Sequence, residues 1–368
     1  MKTFTLKASM FVTTCLALLF CGCTHQGRPP VGAIPTDRQM ADYLKNTKDA
    51  NTFWVSVGPS STGHGYTFRN ANRVHNGKVT AVEFASPGES SRPLIMVSSR
   101  TGAKFPALLD TTTRNSWVDF QASQDMRIAP LSKTPANKEP LRIRPRHVED
   151  NMVSFCGISD MLRFGKLRVE NPVLNIRPQY LTLGTLSRSN EQPEPQIVIG
   201  NELQRNFSFV QYDFPDRQVI FSTTERYEPE PNSVIAELTL YRHKGALACK
   251  GQINDYEGYI LLDVAGNYPV ALDTGESAAD IRIGDLKIDN AAVVSADSKR
   301  MLLGEFPRVA RAVLKNYRLT FDFEQAKIII QKPYTEDIIP TERSIFRMRD
   351  EFKLRRPDVE PEAEATIQ

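Results

Sequence analysis

Two aspartates of the chain each follow an apolar run. If the fold brings them together, their carboxyl groups form a pair that can carry out acid–base chemistry. Asp110 follows Phe105–Leu109 (FPALL) and Asp263 follows Gly258–Leu262 (GYILL), so each run predicts a strand that ends in a turn bearing an Asp. Two carboxylates held close together cannot both ionise at low cost, so such a pair retains one proton. The ionised partner can activate a water molecule while the protonated one donates a hydrogen bond to a carbonyl group. The candidate catalytic residues are therefore Asp110 and Asp263.

The surroundings of the two aspartates repeat along the chain. Ninety residues after Asp110, Gly200 ends the run IVIG and precedes a short predicted helix and a hairpin with the sequence YDFPDRQVIF. Forty-one residues after Asp263, Gly304 ends the run MLLG, and the later hairpin has the sequence TFDFEQAKIII. The same elements thus occur twice in the same order. With the many short strand-like runs between them, they predict a mostly β fold made of two pseudo-symmetric lobes.

At these residues the chain resembles the retropepsin and pepsin family of aspartic peptidases. Each lobe of that family contributes a strand that ends in Asp-Thr/Ser-Gly, and an apolar-apolar-Gly segment packs beside the aspartate loop. The resemblance covers roughly residues 75–332. It implies two acid-protease-like β-barrel lobes and an endopeptidase acting on a peptide or protein substrate, with no cofactor and no metal. It also implies that Thr111, Thr112, Val264 and Ala265, which follow the aspartates, contribute to the substrate site.

The two aspartate loops depart from the family pattern. The third motif position is Gly in active members because the backbone passes close to the carboxyl pair there, whereas this chain has Thr112 and Ala265. At the second position, Thr111 keeps the hydroxyl that bonds across the lobes, and Val264 has the same shape without a hydroxyl. A catalytically inactive form of the fold, retained as a peptide- or protein-binding module, is therefore the competing hypothesis.

A second aspartate competes for the place of Asp263. The string Asp273-Thr274-Gly275 matches the family motif better, but only 31 residues separate Asp273 from Gly304. A flap hairpin has to fit in that interval, so the spacing favours Asp263 and assigns Asp273 to a turn.

One segment of the first half is a candidate for a flap over the site. Val153–Ser159 (VSFCGIS) lies between predicted strands and has Gly157 at a plausible tip, where it would contact substrate. A plain hairpin is the alternative interpretation.

Charge and motif content exclude several other classes of function. The chain has 46 Lys and Arg against 43 Asp and Glu, which leaves no large basic excess for binding nucleic acid. Its five histidines and five cysteines show no His-x-x-x-His or Cys-x-x-Cys spacing, so a zinc site has no support. No Gly-x-Ser-x-Gly elbow is present, which argues against a serine hydrolase of that type.

The amino terminus is typical of an exported protein. Lys2 and Lys7 precede the uncharged apolar run Ala8–Gly22, which is short for a membrane-spanning helix and predicts a signal peptide over 1–22. The end of the run, LFCGC, resembles the bacterial lipobox, in which the final cysteine, here Cys23, is acylated. Acylation would anchor the protein to a membrane of the bacterial envelope, on the non-cytoplasmic side. An ordinary secretory signal is the alternative, and the sequence does not distinguish the inner from the outer membrane.

Composition sets the remaining boundaries. We predict a polar tether over 23–50, an N-terminal lobe over 51–223, a C-terminal lobe over 233–332 and a highly charged tail over 333–368. Cys156 and Cys249 are the cysteines left in the two lobes, and the sequence leaves open whether they form a disulfide.

Overall fold

The computed structural model describes residues 36–53, 55–60, 63–75, 79–86, 92–132, 140, 142–143, 154–177, 194–223, 226–296 and 306–334. Within these residues the fold is mostly β, as the strand-like repeat predicted. The predicted signal peptide, Cys23 and all but the first two residues of the charged tail lie outside them. None of the helices in the described part is long and apolar enough to cross a membrane.

Short strands and four α-helices make up the described residues. The first half contains β1 Lys48–Asp49, β2 Val55–Ser60, β3 Gly63–Phe68, β4 Arg73–His75, β5 Thr80–Glu83, β6 Leu94–Ser99, β7 Lys104–Leu109, β8 Trp117–Asp119, β9 Ala129–Ser132, β10 Arg142–Ile143, β11 Ser154–Ile158, β12 Met161–Phe164, β13 Leu167–Glu170, β14 Val173–Arg177, β15 Ile197–Ile199, β16 Phe209–Asp213 and β17 Gln218–Ser222. The second half contains β18 Val234–Thr239, β19 Tyr241–His243, β20 Ala246–Ile253, β21 Tyr256–Asp263, β22 Val270–Leu272, β23 Ala278–Ile283, β24 Leu286–Ser295, β25 Arg308–Ala310, β26 Arg318–Asp322 and β27 Lys327–Gln331. The helices are α1 Asp37–Leu44, α2 Phe120–Asp125, α3 Asn201–Gln204 and α4 Arg311–Leu314, and a 3-10 turn spans Ala50–Phe53.

The two halves share one strand arrangement. In the first half five strands lie in the order β14-β8-β15-β7-β6, and in the second the order is β24-β22-β25-β21-β20. The directions also correspond: β15 is parallel to β7 and antiparallel to β8, just as β25 is parallel to β21 and antiparallel to β22. Each half therefore places a later strand between the two strands that flank its aspartate turn.

A sheet of six strands joins the halves. Its order is β18-β27-β26-β16-β17-β5, so the central antiparallel pair combines β16 of the first half with β26 of the second. Asp213 and Asp322 end these two strands, and in the register each pairs with the first residue of the opposite strand. The two hairpins recognised in the sequence are thus related by an approximate twofold axis between β16 and β26.

The stretch predicted as a tether is partly folded. Thr36 caps α1 by accepting a hydrogen bond from the Gln39 amide, and the Gln39 side chain accepts one from the Thr36 amide. Met40 and Tyr43 of this helix pack against the main core, and β1 pairs with β9 of the first lobe. Residues 37–49 of the predicted tether are therefore folded against the first lobe.

Candidate active site

Each aspartate lies where a loop crosses the end of a strand. Asp110 follows β7, and the chain then passes over the end of β15 to reach β8. Asp263 ends β21, and the following loop crosses β25 to reach β22. The two aspartates therefore occupy equivalent positions in the two halves.

Gly200 is required by this crossing in the first half. A Cβ atom on Gly200 would lie 2.4 Å from the carbonyl oxygen of Asn115 and 2.8 Å from that of Arg114, both in the loop above it. Only glycine permits such an approach of two backbones. The helix α3 begins immediately after Gly200, as the sequence predicted.

The corresponding residue of the second half is Ala310, not the glycine that the sequence suggested. The strand parallel to β21 is Arg308–Ala310, where Asp263 pairs with Ala310, and α4 follows directly. Gly304 lies outside the described residues. The second crossing leaves room for a methyl group, since Ala310 packs with Tyr268 and Ala271 in a small apolar cluster.

The first aspartate loop holds both oxygens of Asp110. Its Oδ1 accepts hydrogen bonds from the amides of Thr112 (2.7 Å) and Thr113 (3.2 Å) and from the Thr112 hydroxyl (2.8 Å), while Oδ2 accepts one from the Thr113 hydroxyl (2.9 Å). Gln204 of α3 donates to the Asp110 carbonyl at 3.1 Å, and the Tyr212 hydroxyl donates to Gln204 at 2.7 Å. The side chain of Thr112, where the family pattern has glycine, thus contributes to the anchoring of this carboxyl.

The second loop holds Asp263 with a different set of donors. Its Oδ1 accepts from the amides of Ala265 (3.1 Å) and Gly266 (2.8 Å), and its Oδ2 accepts from the Tyr268 hydroxyl at 2.6 Å. Arg308 Nη1 lies 3.8 Å from the same Oδ2, and both side chains are fully buried. A positive charge therefore accompanies one carboxyl of the pair.

The two carboxyls act on each other electrostatically. Neither Asp110 nor Asp263 has exposed surface. Burial, and next the negative charge of Asp263, raise the pKa of Asp110 to about 6 in spite of the hydrogen bonds from its own loop. Burial and then the charge of Asp263 also raise the pKa of Tyr268 well above its usual value, so this phenol stays a donor. Burial and the charge of Asp263 therefore favour the protonated form of Asp110, while Arg308 lies beside Asp263.

Thr111 links the two loops. Its hydroxyl donates to the carbonyl of Leu262 and accepts from the amide of Val264, so its expected role as a brace is observed. Its carbonyl accepts from the Asn201 side chain (2.7 Å) and from the Leu247 amide of the second half (2.8 Å).

Four residues expected to line the substrate site are buried. Thr111 and Thr112 hold the first loop, Val264 belongs to the main core, and Ala265 packs against Leu94 and Leu108 of the first half. They position the carboxyls rather than present a surface.

Gly157 does not form the tip of a flap. It lies within β11, between β9 and β14, and a Cβ atom there would lie 2.4 Å from Ile176 Cδ1 and 2.7 Å from Ile128 Cγ2. This glycine permits close packing inside a sheet, so the flap prediction is wrong for it. Asp273, the rival for Asp263, lies in an exposed turn after β22.

The sequence did not reveal several residues of the site. Arg308 and Tyr268 are the partners of Asp263, and the residue types gave no signal because buried arginines are rare in strands. Thr113 is adjacent to the motif and could have been recognised as a hydroxyl within reach of Asp110.

The two remaining cysteines, Cys156 and Cys249, are free and buried, and burial raises the pKa of each thiol to about 12.

The comparisons with known proteins do not assign the site, because no family model and no curated protein matches the chain. Among the described residues, no group of three or more His, Cys, Asp or Glu side chains could hold a metal ion. The geometry of the two aspartate loops is the basis for assigning a function.

Proposed function

We propose that the chain is an aspartic-type endopeptidase of the two-lobed, retropepsin-like class, which hydrolyses peptide bonds with Asp110 and Asp263. The observation that carries the proposal is the electrostatic pairing of two fully buried carboxyls that end equivalent strands in the two halves. A carboxyl whose pKa is raised by burial and by a second carboxyl is typical of acid–base sites. Because the pKa of Asp110 is raised to about 6, this residue is the proton donor in mildly acidic solution.

The reaction follows from the two protonation states. Water attacks the carbonyl carbon of the peptide bond while its proton passes to the Asp263 carboxylate, and Asp110 gives its proton to the carbonyl oxygen. The resulting diol collapses when Asp263 returns a proton to the leaving nitrogen and one hydroxyl group returns a proton to Asp110. The carbon–nitrogen bond breaks, and both carboxyls regain their initial states. Arg308 and Tyr268 keep Asp263 in place throughout.

A peptide-binding module without catalysis is the second candidate, and one observation favours it. Both carboxyls have no exposed surface, and three donors from Thr112 and Thr113 already occupy Oδ1 of Asp110. A water molecule that is to react has to displace or share these bonds. The two candidates differ in whether any peptide is cleaved.

A cleavage assay with matched substitutions tests the proposal. Soluble protein beginning at Thr24 is incubated with a library of decapeptides between pH 3 and 7, and the products are identified by mass spectrometry. We expect cleavage that Asp110→Asn and Asp263→Asn each abolish, while Asp273→Asn retains it because Asp273 is exposed, in a turn after β22. If the folded wild-type protein cleaves no peptide at any pH but still binds peptides, the result favours the binding module.

We also propose that Cys23 carries a lipid that holds the protein at an envelope membrane. What supports this is the charged start, the short apolar run and the LFCGC string. Expression with an alkyne-tagged fatty acid should label the full chain, and Cys23→Ala should remove the label. Labelling that survives Cys23→Ala would contradict this anchor.

A further inference from the structure

Three buried side chains on β8 and β14 present hydrogen-bond donors without an acceptor among the described residues. They are the indole nitrogen of Trp117, the side-chain amide nitrogen of Asn175, and all three guanidinium nitrogens of Arg177. The exposed fractions are 7% for Trp117 and 3% for each of the others. Trp117 and Asn175 are direct neighbours in the parallel register, and Arg177 follows two residues later on the same face. The donors therefore form one cluster.

The charge of Arg177 is not compensated within the described residues. Its guanidinium lies over the Trp117 ring, 3.8 Å from the centroid, which leaves its edge available for hydrogen bonds. Its neighbour in the register is Asp119, whose carboxylate instead accepts from the Ala122 amide at 2.6 Å as the cap of α2. Burial lowers the pKa of Arg177 to about 9. A buried cation without a partner is unfavourable, and an anionic acceptor would remove that penalty.

The cluster lies on the sheet face that carries Leu108, two residues before Asp110. In the register Trp117 pairs with Val198, and Val198 pairs with Leu108, two residues before Asp110. Directly paired residues share a face, and so do residues two apart on a strand. Leu108 contacts Ala265, so this face is directed toward the second half. Two strand spacings of about 4.8 Å separate β7 from β8 and three separate β7 from β14, and the register sets Trp117 and Asn175 two residues, and Arg177 four residues, back from Asp110 along the strands. The donors therefore lie about 12–20 Å from Asp110.

We propose that Trp117, Asn175 and Arg177 bind a carboxylate of the peptide substrate, an inference that rests on the proposed function. A planar carboxylate accepts two parallel bonds from a guanidinium and has lone pairs left for the indole and amide donors. An extended peptide advances about 3.3–3.6 Å per residue, so the carboxylate belongs about four to six residues from the cleaved bond. The substrate class is peptides with Glu, Asp or a carboxyl terminus at that distance.

Binding to a protein that cannot cleave tests this inference apart from the reaction. Fluorescent, end-blocked decapeptides carrying a single Glu at successive positions are compared with matched Gln peptides on the Asp110→Asn protein. We expect at least tenfold tighter binding of Glu peptides at one or two positions, and loss of that preference when Arg177→Met is added. Equal affinities for Glu and Gln peptides at every position would overturn the inference.

The carboxylate could also come from this chain, and thermal unfolding of the unliganded protein distinguishes that source. If the site is empty before substrate binds, Arg177→Met leaves the melting temperature unchanged or raises it, because an unpaired buried charge is removed. A lower melting temperature together with no Glu preference would indicate an internal partner and overturn the substrate site. If Arg177→Met does not fold, Trp117→Phe decides, since loss of the indole donor should reduce the Glu preference several-fold.

The outcomes separate this inference from the proposed function. A Glu preference in a protein that cleaves nothing would support the carboxylate site while contradicting the peptidase. Cleavage by the wild-type protein without any Glu preference would contradict the carboxylate site alone.

Discussion

The hydroxyl of Thr111 in the first half accepts a hydrogen bond of 3.2 Å from the backbone amide of Val264 in the second. The same hydroxyl donates to the carbonyl of Leu262, so it satisfies backbone groups on both sides of Asp263. Val264 occupies the position in the second half that is equivalent to Thr111, and it has no hydroxyl with which to form the reciprocal hydrogen bonds. The brace between the two aspartate loops is therefore one-sided.

Removal of this hydroxyl should destabilise the protein. Thr111→Val keeps the shape and leaves a buried carbonyl and a buried amide without their partner, so we expect a loss of about 1–3 kcal/mol in the free energy of unfolding. Thr111→Ser retains the hydroxyl and should cost less. Urea denaturation of the three proteins measures the difference, and equal stabilities for the Val and Ser variants would contradict the brace.

Gly200 and Ala310 should differ in their tolerance of a methyl group. Gly200→Ala would place Cβ 2.4 Å from the Asn115 carbonyl oxygen, so the loop has to shift at a cost of about 1–3 kcal/mol or more. Ala310→Gly makes the reverse change at the equivalent position, which already accommodates a Cβ atom, and it should cost less, about 0.5–1 kcal/mol. Melting temperatures compare the two variants, and a Gly200→Ala protein as stable as wild type would contradict the close crossing.

Arg308 and Asp263 should be energetically coupled. Arg308→Met removes the positive charge beside Asp263, and Asp263→Asn removes the negative charge beside Arg308, so each should cost about 3–5 kcal/mol. The double variant should be more stable than the sum of the single losses indicates, by at least about 1 kcal/mol. Additive losses in denaturant titrations of the four proteins would show that the 3.8 Å approach contributes no coupling.

Stability should fall as the pH rises between about 4 and 6. The pKa of Asp110 rises from 3.8 to about 6 on folding, so the folded state binds the proton more tightly than the unfolded state in this window. Asp213, whose pKa burial and then Asp216 raise to about 7, acts in the same direction. Asp110→Asn should therefore reduce the slope of unfolding free energy against pH without abolishing it. An unchanged slope would contradict the raised pKa of Asp110.

The repeated pattern was readable in the sequence because it depends on local rules. An apolar run followed by Asp predicts a strand and its turn. Gly200 stands out at the end of the run IVIG, and the residue is a glycine because the backbones of two chain segments meet there. Gly304 suggested a matching glycine at the crossing in the second half. That crossing accommodates the methyl group of Ala310, so no glycine is needed there. Thr36-x-x-Gln39 is a capping box, a signal for α1 that was overlooked in a polar stretch.

Other features depend on contacts that no local pattern encodes. Glycine serves both turns and tight packing, and only the positions of Ile176 and Ile128 show that Gly157 belongs to the second case. Arg177 and Arg308 are buried in strands, whereas arginine is usually exposed. Their residue type alone therefore predicts exposed side chains. The roles of such residues follow from contacts between strands that are distant in the sequence, so they can be recognised only in the folded structure.

The pH dependence of peptide cleavage tests the central claim most directly, because kcat/KM reports the ionisation of the free enzyme. With Asp110 as the acid, kcat/KM for a cleaved peptide should fall above about pH 6, where Asp110 loses its proton. Asp110→Asn should abolish cleavage across the whole range, and Asp273→Asn should leave the profile unchanged. A rate that stays constant from pH 5 to 8, or cleavage that persists in Asp110→Asn, would contradict catalysis by Asp110 and Asp263.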